Sequence, residues 1–594
     1  MFQIKLNIKP NIKPYIKNVI HIALFILIPA ITFYTMESYE HNAFWDVYLT
    51  AQMLNILMFE LIALFFFFLF GSARVALSVE IGIAMVYGLV NHYVMAFRST
   101  PFVPWDIFSI ETAASVVGNY DLTPTKEVIF ATVVLVILFV AVQFLDVKFP
   151  YKLPIRLIPV LCVSFCLGGF TGMLQNDAWQ SKWGLYPYLF TPAYMTKVNG
   201  MAVTFAMDLE YIFVEKPAGY NPEEVEEILK EYESTDVSMG GTNPEELPNI
   251  IVIMNEAFSD LAVLGDFTSS EDYMPFIHFL QEGYEDTITG MLDVSVVGGN
   301  TANSEFEFLT GHSMDFFPVG SIPYQQYIKG EIPNLTSHLL EMGYETHGMH
   351  PYGASGWNRD KVYPWFGFEH TYFIKDFRYR SYIRDYVSDK SAFNQIIYTY
   401  ENMESDKPLF LFEVTMQNHG SYSDLHDNFT PYITVDGVRN NALQQYLSLV
   451  KETDIEFQRL IEYFETVEEN TIVVFFGDHQ PNDYVANQIL RLSGKHTSKL
   501  TPEEALLRYK VPYVIWANYD IAEGSNKDMD INFLAANVLM YAGMETTPYH
   551  NFLLEYQAVL DADDGTEKYH KKIEEYQKLH QKLQYYFMYD YQED

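Results

Sequence analysis

Two stretches decide the fold: Asn249-Ile-Ile-Val-Ile-Met-Asn-Glu256 and Thr471-Ile-Val-Val-Phe-Phe-Gly-Asp478-His479. Each is an unbroken apolar run that ends on residues able to do chemistry. Such runs read as strands buried on both faces, the kind found in parallel sheets. In open α/β sheets, ligands bind beyond the carboxyl ends of the strands. An acid from one stretch and an Asp-His pair from the other can therefore meet. Between them, Gly298-Gly299-Asn300-Thr301 opens a helical pattern, which adds a hydroxyl at a helix N-terminus. The combination is the layout of a metal-activated hydroxyl nucleophile.

Working outward, further apolar runs at 408–416 and 511–516 alternate with helical patterns, notably Asn441 to Phe464. That alternation predicts a mostly parallel sheet between helices. Upstream, 176–247 reads as a connector: an aromatic juxtamembrane stretch, an exposed helix from Pro222 to Tyr232, and a polar linker from Ser234 to Pro248. Downstream, 566–594 reads as a charged, tyrosine-rich amphipathic helix. The sheet-bearing unit is thus expected over 248–565.

Residues 1–175 differ in kind. Apolar stretches near Val19–Met36, Leu49–Gly71, Val75–Ala96, Val128–Val147 and Ile155–Met173 approach the ~20 residues a membrane helix needs. Five spans are expected. Lys5, Lys9, Lys13 and Lys17 precede the first, and the loop Glu37 to Asn42 is acidic, which puts the N-terminus in the cytoplasm. Arg74 and the connector Lys148, Lys152 and Arg156 then fall inside, and Thr112 to Thr125 outside. An odd number of spans leaves the remainder outside the cell. Arg98 to Ser109, broken by Pro101 and Pro104 and carrying Trp105, reads as an interfacial segment or an ordered loop. The two cysteines, Cys162 and Cys166, both lie in the fifth span, so the external part has no disulfide; this favours a bacterial cell surface.

The formal net charge of −39 argues against a nucleic-acid partner, which requires a basic footprint. It would also repel a polyanionic substrate unless a cation offset it locally. Glu256, Asp478 and His479 form a mixed oxygen and nitrogen donor set suited to Mn²⁺, Mg²⁺ or Zn²⁺. Thr301 reads as a nucleophile or as an ordinary N-cap, two compatible roles. In His350-Pro-Tyr-Gly-Ala-Ser-Gly-Trp357-Asn-Arg359, the arginine can clamp phosphate and the indole can wall a pocket. His419 follows a strand and can donate to phosphate or shuttle a proton. His312, His370 and His426 have no such setting and are left out of the site.

These residues and motifs resemble the lipoteichoic acid synthase family of membrane phosphoglycerol transferases, in the alkaline phosphatase and sulfatase superfamily. The resemblance covers nearly the whole chain: the multi-span anchor, Pro101 to Ser109, Asn255-Glu256, Asn300-Thr301-Ala-Asn-Ser-Glu-Phe-Glu307, Trp357-Asn-Arg359, Asn418-His419 and Gly477-Asp478-His479-Gln-Pro481. It implies a five-helix membrane domain followed by an extracellular sulfatase-like α/β domain on a bacterial cell membrane. Thr301 matches the family nucleophile, Glu256, Asp478 and His479 its metal ligands with the Thr301 oxygen beside them, and His350, Trp357, Arg359 and His419 its glycerophosphate contacts. The implied cofactor is one divalent cation, foremost Mn²⁺. The implied donor is phosphatidylglycerol, and the acceptor a glycolipid, a polyglycerolphosphate chain or another glycan. Tyr352 stands where lipoteichoic acid synthases carry an acidic residue, so the acceptor stays open. Thr301 lacks the Cys/Ser-x-Pro-x-Arg setting of true sulfatases. Phosphoethanolamine transferases bring external cysteine pairs and extra histidines that are missing here. A non-catalytic lipid- or glycan-binding surface protein is the alternative of a different class.

Overall fold

A computed structural model describes residues 13–591 except 99–100, 110–122, 188–191, 213, 215, 234–246, 319–320, 421, 423 and 498–499. Lys5 and Lys9, most of the expected outer loop Thr112 to Thr125 and most of the Ser234 to Pro248 linker lie outside the described residues. The chain divides into two compact units, Met1–Val214 and Glu215–Asp594.

The first unit is helical. Among the described residues, four of its helices are long and apolar enough to cross a membrane: Val19–Glu37, Leu49–Phe70, Ala73–Met95 and Leu153–Leu174. Their outer faces carry large apolar side chains, with Phe165 83% and Ile158 65% exposed, as lipid-facing residues should be. The remaining expected span is shorter than these four. The apolar run Val128–Val147 becomes a helix only over Lys126–Val142, 17 residues or roughly 25 Å at 1.5 Å per residue. Beyond it the chain turns at Gln143–Leu145 and runs extended, where Ala73 N–H donates to the Val147 carbonyl and Ser72 bridges Lys148. Parity of spans therefore no longer fixes the side on which the second unit lies. Pro104–Ser109 forms a short 3₁₀ helix with Trp105 buried.

The second unit is built on strands β1 (Asn249–Asn255), β2 (Thr287–Asp293), β3 (Glu345–His350), β4 (His370–Phe373), β7 (Leu409–Val414), β8 (Thr471–Gly477), β9 (Lys510–Ala517) and β10 (Met529–Asp530), with β5 (Tyr382–Ile383) and β6 (Tyr386–Val387) forming a separate hairpin. The sheet order is β10-β2-β9-β8-β1-β7-β3-β4. All neighbours are parallel except β9, which runs antiparallel to both β2 and β8. Strands β1, β7 and β8 are buried along their whole length because helices cover both faces. On one side Ile251, Ile253, Leu411, Val473 and Phe475 pack in a core with Tyr446, Phe457 and Ile461 of the helix Asn441–Phe464. On the other, Phe308 of the helix Thr301–Thr310 lies 5.8 Å from the ring of Phe412 and 5.1 Å from that of Phe476. All ten residues of that helix are buried. This packing brings its N-terminus to the carboxyl edge of the sheet.

Candidate active site

Strands β8, β1, β7 and β3 lie side by side and point the same way, so the residues just past their carboxyl ends converge. Glu256 comes after β1, Asp478 and His479 after β8, and Thr415 to His419 after β7, while His350 ends β3. The turns are tight. Gly477 packs against the backbone leaving β1, where a Cβ would sit 1.9 Å from the Phe258 carbonyl oxygen. Ala257 adopts φ 50°, a left-handed conformation that is costly for alanine, and its N–H donates to Asp478 Oδ1 at 2.6 Å. The Asp478 N–H returns a bond to the Asn255 carbonyl at 3.2 Å. The loop before the helix Thr301–Thr310 and that helix itself are tied to the same place: Gly298 N–H donates to the Gln480 carbonyl at 2.9 Å, and Ser304 Oγ to the Asp478 carbonyl at 2.7 Å.

The result is a closed cluster. Donor atoms of Glu256, Asp478 and His479 all lie within 4.8 Å of one another, and Thr301 Oγ1 donates to Glu256 Oε2 at 3.2 Å. His479 Nδ1 donates to the Gln480 carbonyl at 2.9 Å, which turns Nε2 with its lone pair toward the carboxylates. Nε2 is 3.8 Å from Glu256 Oε1 and 3.3 Å from Asp478 Oδ2. Yet Nε2 and Asp478 Oδ2 are buried with no hydrogen-bond partner among the described residues. Burial, reinforced by the charge of Asp478, pushes the Glu256 carboxyl up to about 8. Two acids and an imidazole, buried together with donor atoms unsatisfied, fit a divalent cation of the Mn²⁺, Mg²⁺ or Zn²⁺ class. Thr301 is the first helical residue, not the N-cap: Asn300 takes that position at φ 67° and makes no capping bond with its side chain.

The flanking residues divide. His350 is buried and donates from Nδ1 to the Val414 carbonyl at 2.9 Å, leaving Nε2 free of that bond; burial holds its pKa well below the usual imidazole value. His419 is exposed and donates from Nδ1 to the Gly420 carbonyl at 2.7 Å. Trp357 is half-buried at φ 57°, with Asn358 next to it at φ 59°; this pair of left-handed residues turns the chain into the helix Arg359–Phe366. Arg359 is not an open clamp. Its Nε lies 3.0 and 3.2 Å from the two Glu305 oxygens, and Nη2 also bonds Glu305, which in turn accepts from Tyr363 at 2.9 Å. Burial works against the charge on Arg359, but Glu305 holds it firmly protonated.

Several groups that organise the site carry no local signal in the sequence. Glu305 sits one helical turn after Thr301 and aims the arginine. Asn255 joins β1 to β7 by accepting from Asn418 at 2.9 Å and donating to Asp389 at 2.9 Å, and Thr453 donates to Asp389 at 2.6 Å. Arg384, at φ 56° on the β5–β6 hairpin, donates to the carbonyls of Gln417 and His419 at 2.7 Å each and so fixes the loop that carries His419. Of these groups, Asn255, Asn418 and Glu305 do fall within the quoted motifs, near Glu256, His419 and Thr301, but nothing in those motifs shows what they bond.

The sulfatase family profile matches residues 248–544. The putative cyclic beta-1,2-glucan modification protein of Rhizobium meliloti (strain 1021) is 29% identical over 500 residues, 82% of this chain and 76% of that protein. Lipoteichoic acid synthase 1 of Bacillus subtilis (strain 168) is 25% identical over 283 residues, 45% of this chain and 41% of that protein. Among solved structures, the Streptococcus pyogenes phosphoglycerol transferase GacH in complex with sn-glycerol-1-phosphate matches with a TM-score of 0.53 at 24% identity, covering 63% of this chain and 95% of that one.

Proposed function

This chain belongs to the sulfatase family, and from that premise we propose that it transfers phosphoglycerol from phosphatidylglycerol to a glycan through a phosphoglyceryl-threonine on Thr301. The observation that carries the reading is the buried cluster in which Thr301, at a helix N-terminus, donates to Glu256 beside Asp478 and His479. A phosphoryl group over the Thr301 hydroxyl would meet the free N–H groups of that helix, which favour an anion. Glu256, Asp478 and His479 would hold a divalent cation, Mn²⁺ foremost, whose Lewis acidity lowers the pKa of the hydroxyl and offsets phosphate charge.

The chain's own residues divide the work. Thr301 Oγ, its proton lost to solvent on activation, attacks phosphorus; the Oγ–phosphorus bond forms and the bond to the diacylglycerol oxygen breaks, and in the second half the acceptor oxygen bonds phosphorus as the Thr301 Oγ–phosphorus bond breaks. His419 hands a proton to that leaving oxygen, and in the second half takes one from the incoming acceptor hydroxyl. Arg359, kept charged by Glu305, and His350 would stabilise the oxygens of the transferred group, the arginine through its charge rather than as an open clamp. Trp357 walls the glycerol side. No nucleotide is required, because the lipid phosphodiester supplies the reactive bond.

The acceptor is inferred from the relatives. One is named for modifying cyclic beta-1,2-glucan and aligns over 82% of this chain, whereas the lipoteichoic acid synthase aligns over less than half of it. A glucan or related glycan is therefore preferred to a polyglycerolphosphate chain. Membrane anchoring serves the reaction by holding the site beside a donor that stays in the bilayer, and the sulfatase unit is assigned to the outer surface. Full-length protein with Mn²⁺ and labelled phosphatidylglycerol should release diacylglycerol, and Thr301→Ala should release none. Equal release by the variant, or none by the wild type, overturns the reading.

A further inference from the structure

At the sheet edge opposite Thr301, the amino ends of β3 and β4 gather three groups that phosphoglycerol transfer does not use: Glu345, His347 and His370. The ladder produces this grouping. Glu345 and His347 are two apart on β3 and so project from one face, while His347 pairs directly with His370 across the parallel strands. The two imidazole centroids are 4.6 Å apart. His347 Nε2 and His370 Nε2 lie 2.9 and 3.6 Å from one and the same oxygen, Glu345 Oε1. The other oxygen, Oε2, accepts a bond from Ser405 Oγ, which turns the carboxylate so that Oε1 faces both rings. Tyr372 stacks on the His347 ring at 5.7 Å and 12°, fixing its plane.

A carboxylate oriented by an outer hydrogen bond is one element of a built metal site; the His347 ring is held by stacking, and its Nδ1 is buried with no hydrogen-bond partner among the described residues. Two nitrogens and one oxygen, with no thiolate, are a donor set that zinc accepts with water in the remaining position. The geometry provides for that water, because His347 is buried while 48% of the His370 side chain faces solvent. We propose that Glu345, His347 and His370 form a second divalent-cation site of the zinc class, which pins the edge strand β4 to β3. β3 carries this site at its first residues and His350 at its last, six residues or roughly 17 Å along one strand.

The test uses full-length protein stripped of metal by chelation and titrated with Zn²⁺, and separately with Co²⁺ as an optical probe. His479→Ala serves as the background that weakens the other cluster. Adding His370→Ala should lower the tightly bound Zn²⁺ by one ion per chain, remove a visible Co²⁺ band, and abolish part of the rise in unfolding temperature on adding Zn²⁺. Glu345→Gln should do the same, so that a folding defect in either variant, seen as a lowered unfolding temperature without metal, does not decide the outcome alone. If both double variants bind as many ions as the His479→Ala background, the three residues are only a hydrogen-bonded cluster and the proposal falls. None of the three readouts involves lipid cleavage, so failure of this proposal is separate from failure of the transferase reading.

Discussion

Two groups of acids and imidazoles stand at opposite edges of one sheet, and they differ in what the fold spends on them. At the carboxyl edge, Glu256, Asp478 and His479 are all buried, the backbone is left-handed at Ala257 and crowded at Gly477, and two donor atoms have no hydrogen-bond partner among the described residues. At the amino edge, Glu345 is half-buried, His347 is buried with Nδ1 unpartnered among the described residues, and His370 is exposed; the three rest on ordinary strand geometry, with Glu345 bonded to Ser405 and His347. Only the first has a hydroxyl at a helix N-terminus beside it. Backbone strain and burial of all three donors at one edge suit a site built for reaction, whereas the unstrained strands and the exposed His370 at the other suit the binding role proposed for it.

The largest effect that would break this contrast is on lipid cleavage. Thr301→Ala should reduce diacylglycerol release from labelled phosphatidylglycerol by roughly 10⁴-fold or more, as loss of a covalent nucleophile does, while binding of Zn²⁺ at the amino edge is untouched. Next, Glu305→Ala leaves the Arg359 charge buried without its partner and should lower the unfolding free energy by about 3–5 kcal/mol in a denaturant titration. Gly477→Ala forces the backbone away from Phe258 and displaces Asp478 and His479. Lipid cleavage should fall about 10²-fold, the cost of roughly 1 Å of misplacement, with secondary structure by circular dichroism unchanged.

A subtler difference concerns protons. In metal-free protein Glu256 is raised from 4.5 to about 8, so the stability linked to its proton is full below about 4.5 and lost as pH rises through about 8. The unfolding temperature of metal-free wild type should therefore decline across that window relative to Glu256→Gln. A flat difference between the two would contradict the burial argument. The smallest expectation is a null effect: His370→Ala should leave the rate of lipid cleavage as it is.

The reaction edge is legible in the sequence because each ingredient is local. β1 and β8 announce themselves as continuous apolar runs, and their terminal residues, Glu256, Asp478 and His479, come together once those strands are neighbours. The sheet's outer strands are not legible. β3 reads Glu-Thr-His-Gly-Met-His, too polar to suggest a strand, and β2 contains Gly290, whose missing side chain makes room for Lys527. Without β3 and β4, His370 has no neighbour to make it meaningful. Arg359 reads as an open phosphate clamp in the sequence because its partner Glu305 lies 54 residues away. The expected span Val128–Val147 is shorter as a helix than as an apolar run because hydropathy measures only composition, whereas the helix ends where Gln143 to Leu145 turn and the chain pairs with Ser72 and Ala73.

The claim on which the rest depends is that Thr301 carries the glycerophosphate group during turnover. Wild-type protein incubated with Mn²⁺ and phosphatidylglycerol but no acceptor, then quenched in acid and mapped by peptide mass spectrometry, should show glycerophosphate on Thr301, and the adduct should disappear when a glucan acceptor is added before quenching. Continued release of diacylglycerol with Thr301 unmodified, or with the group on another residue, would contradict it.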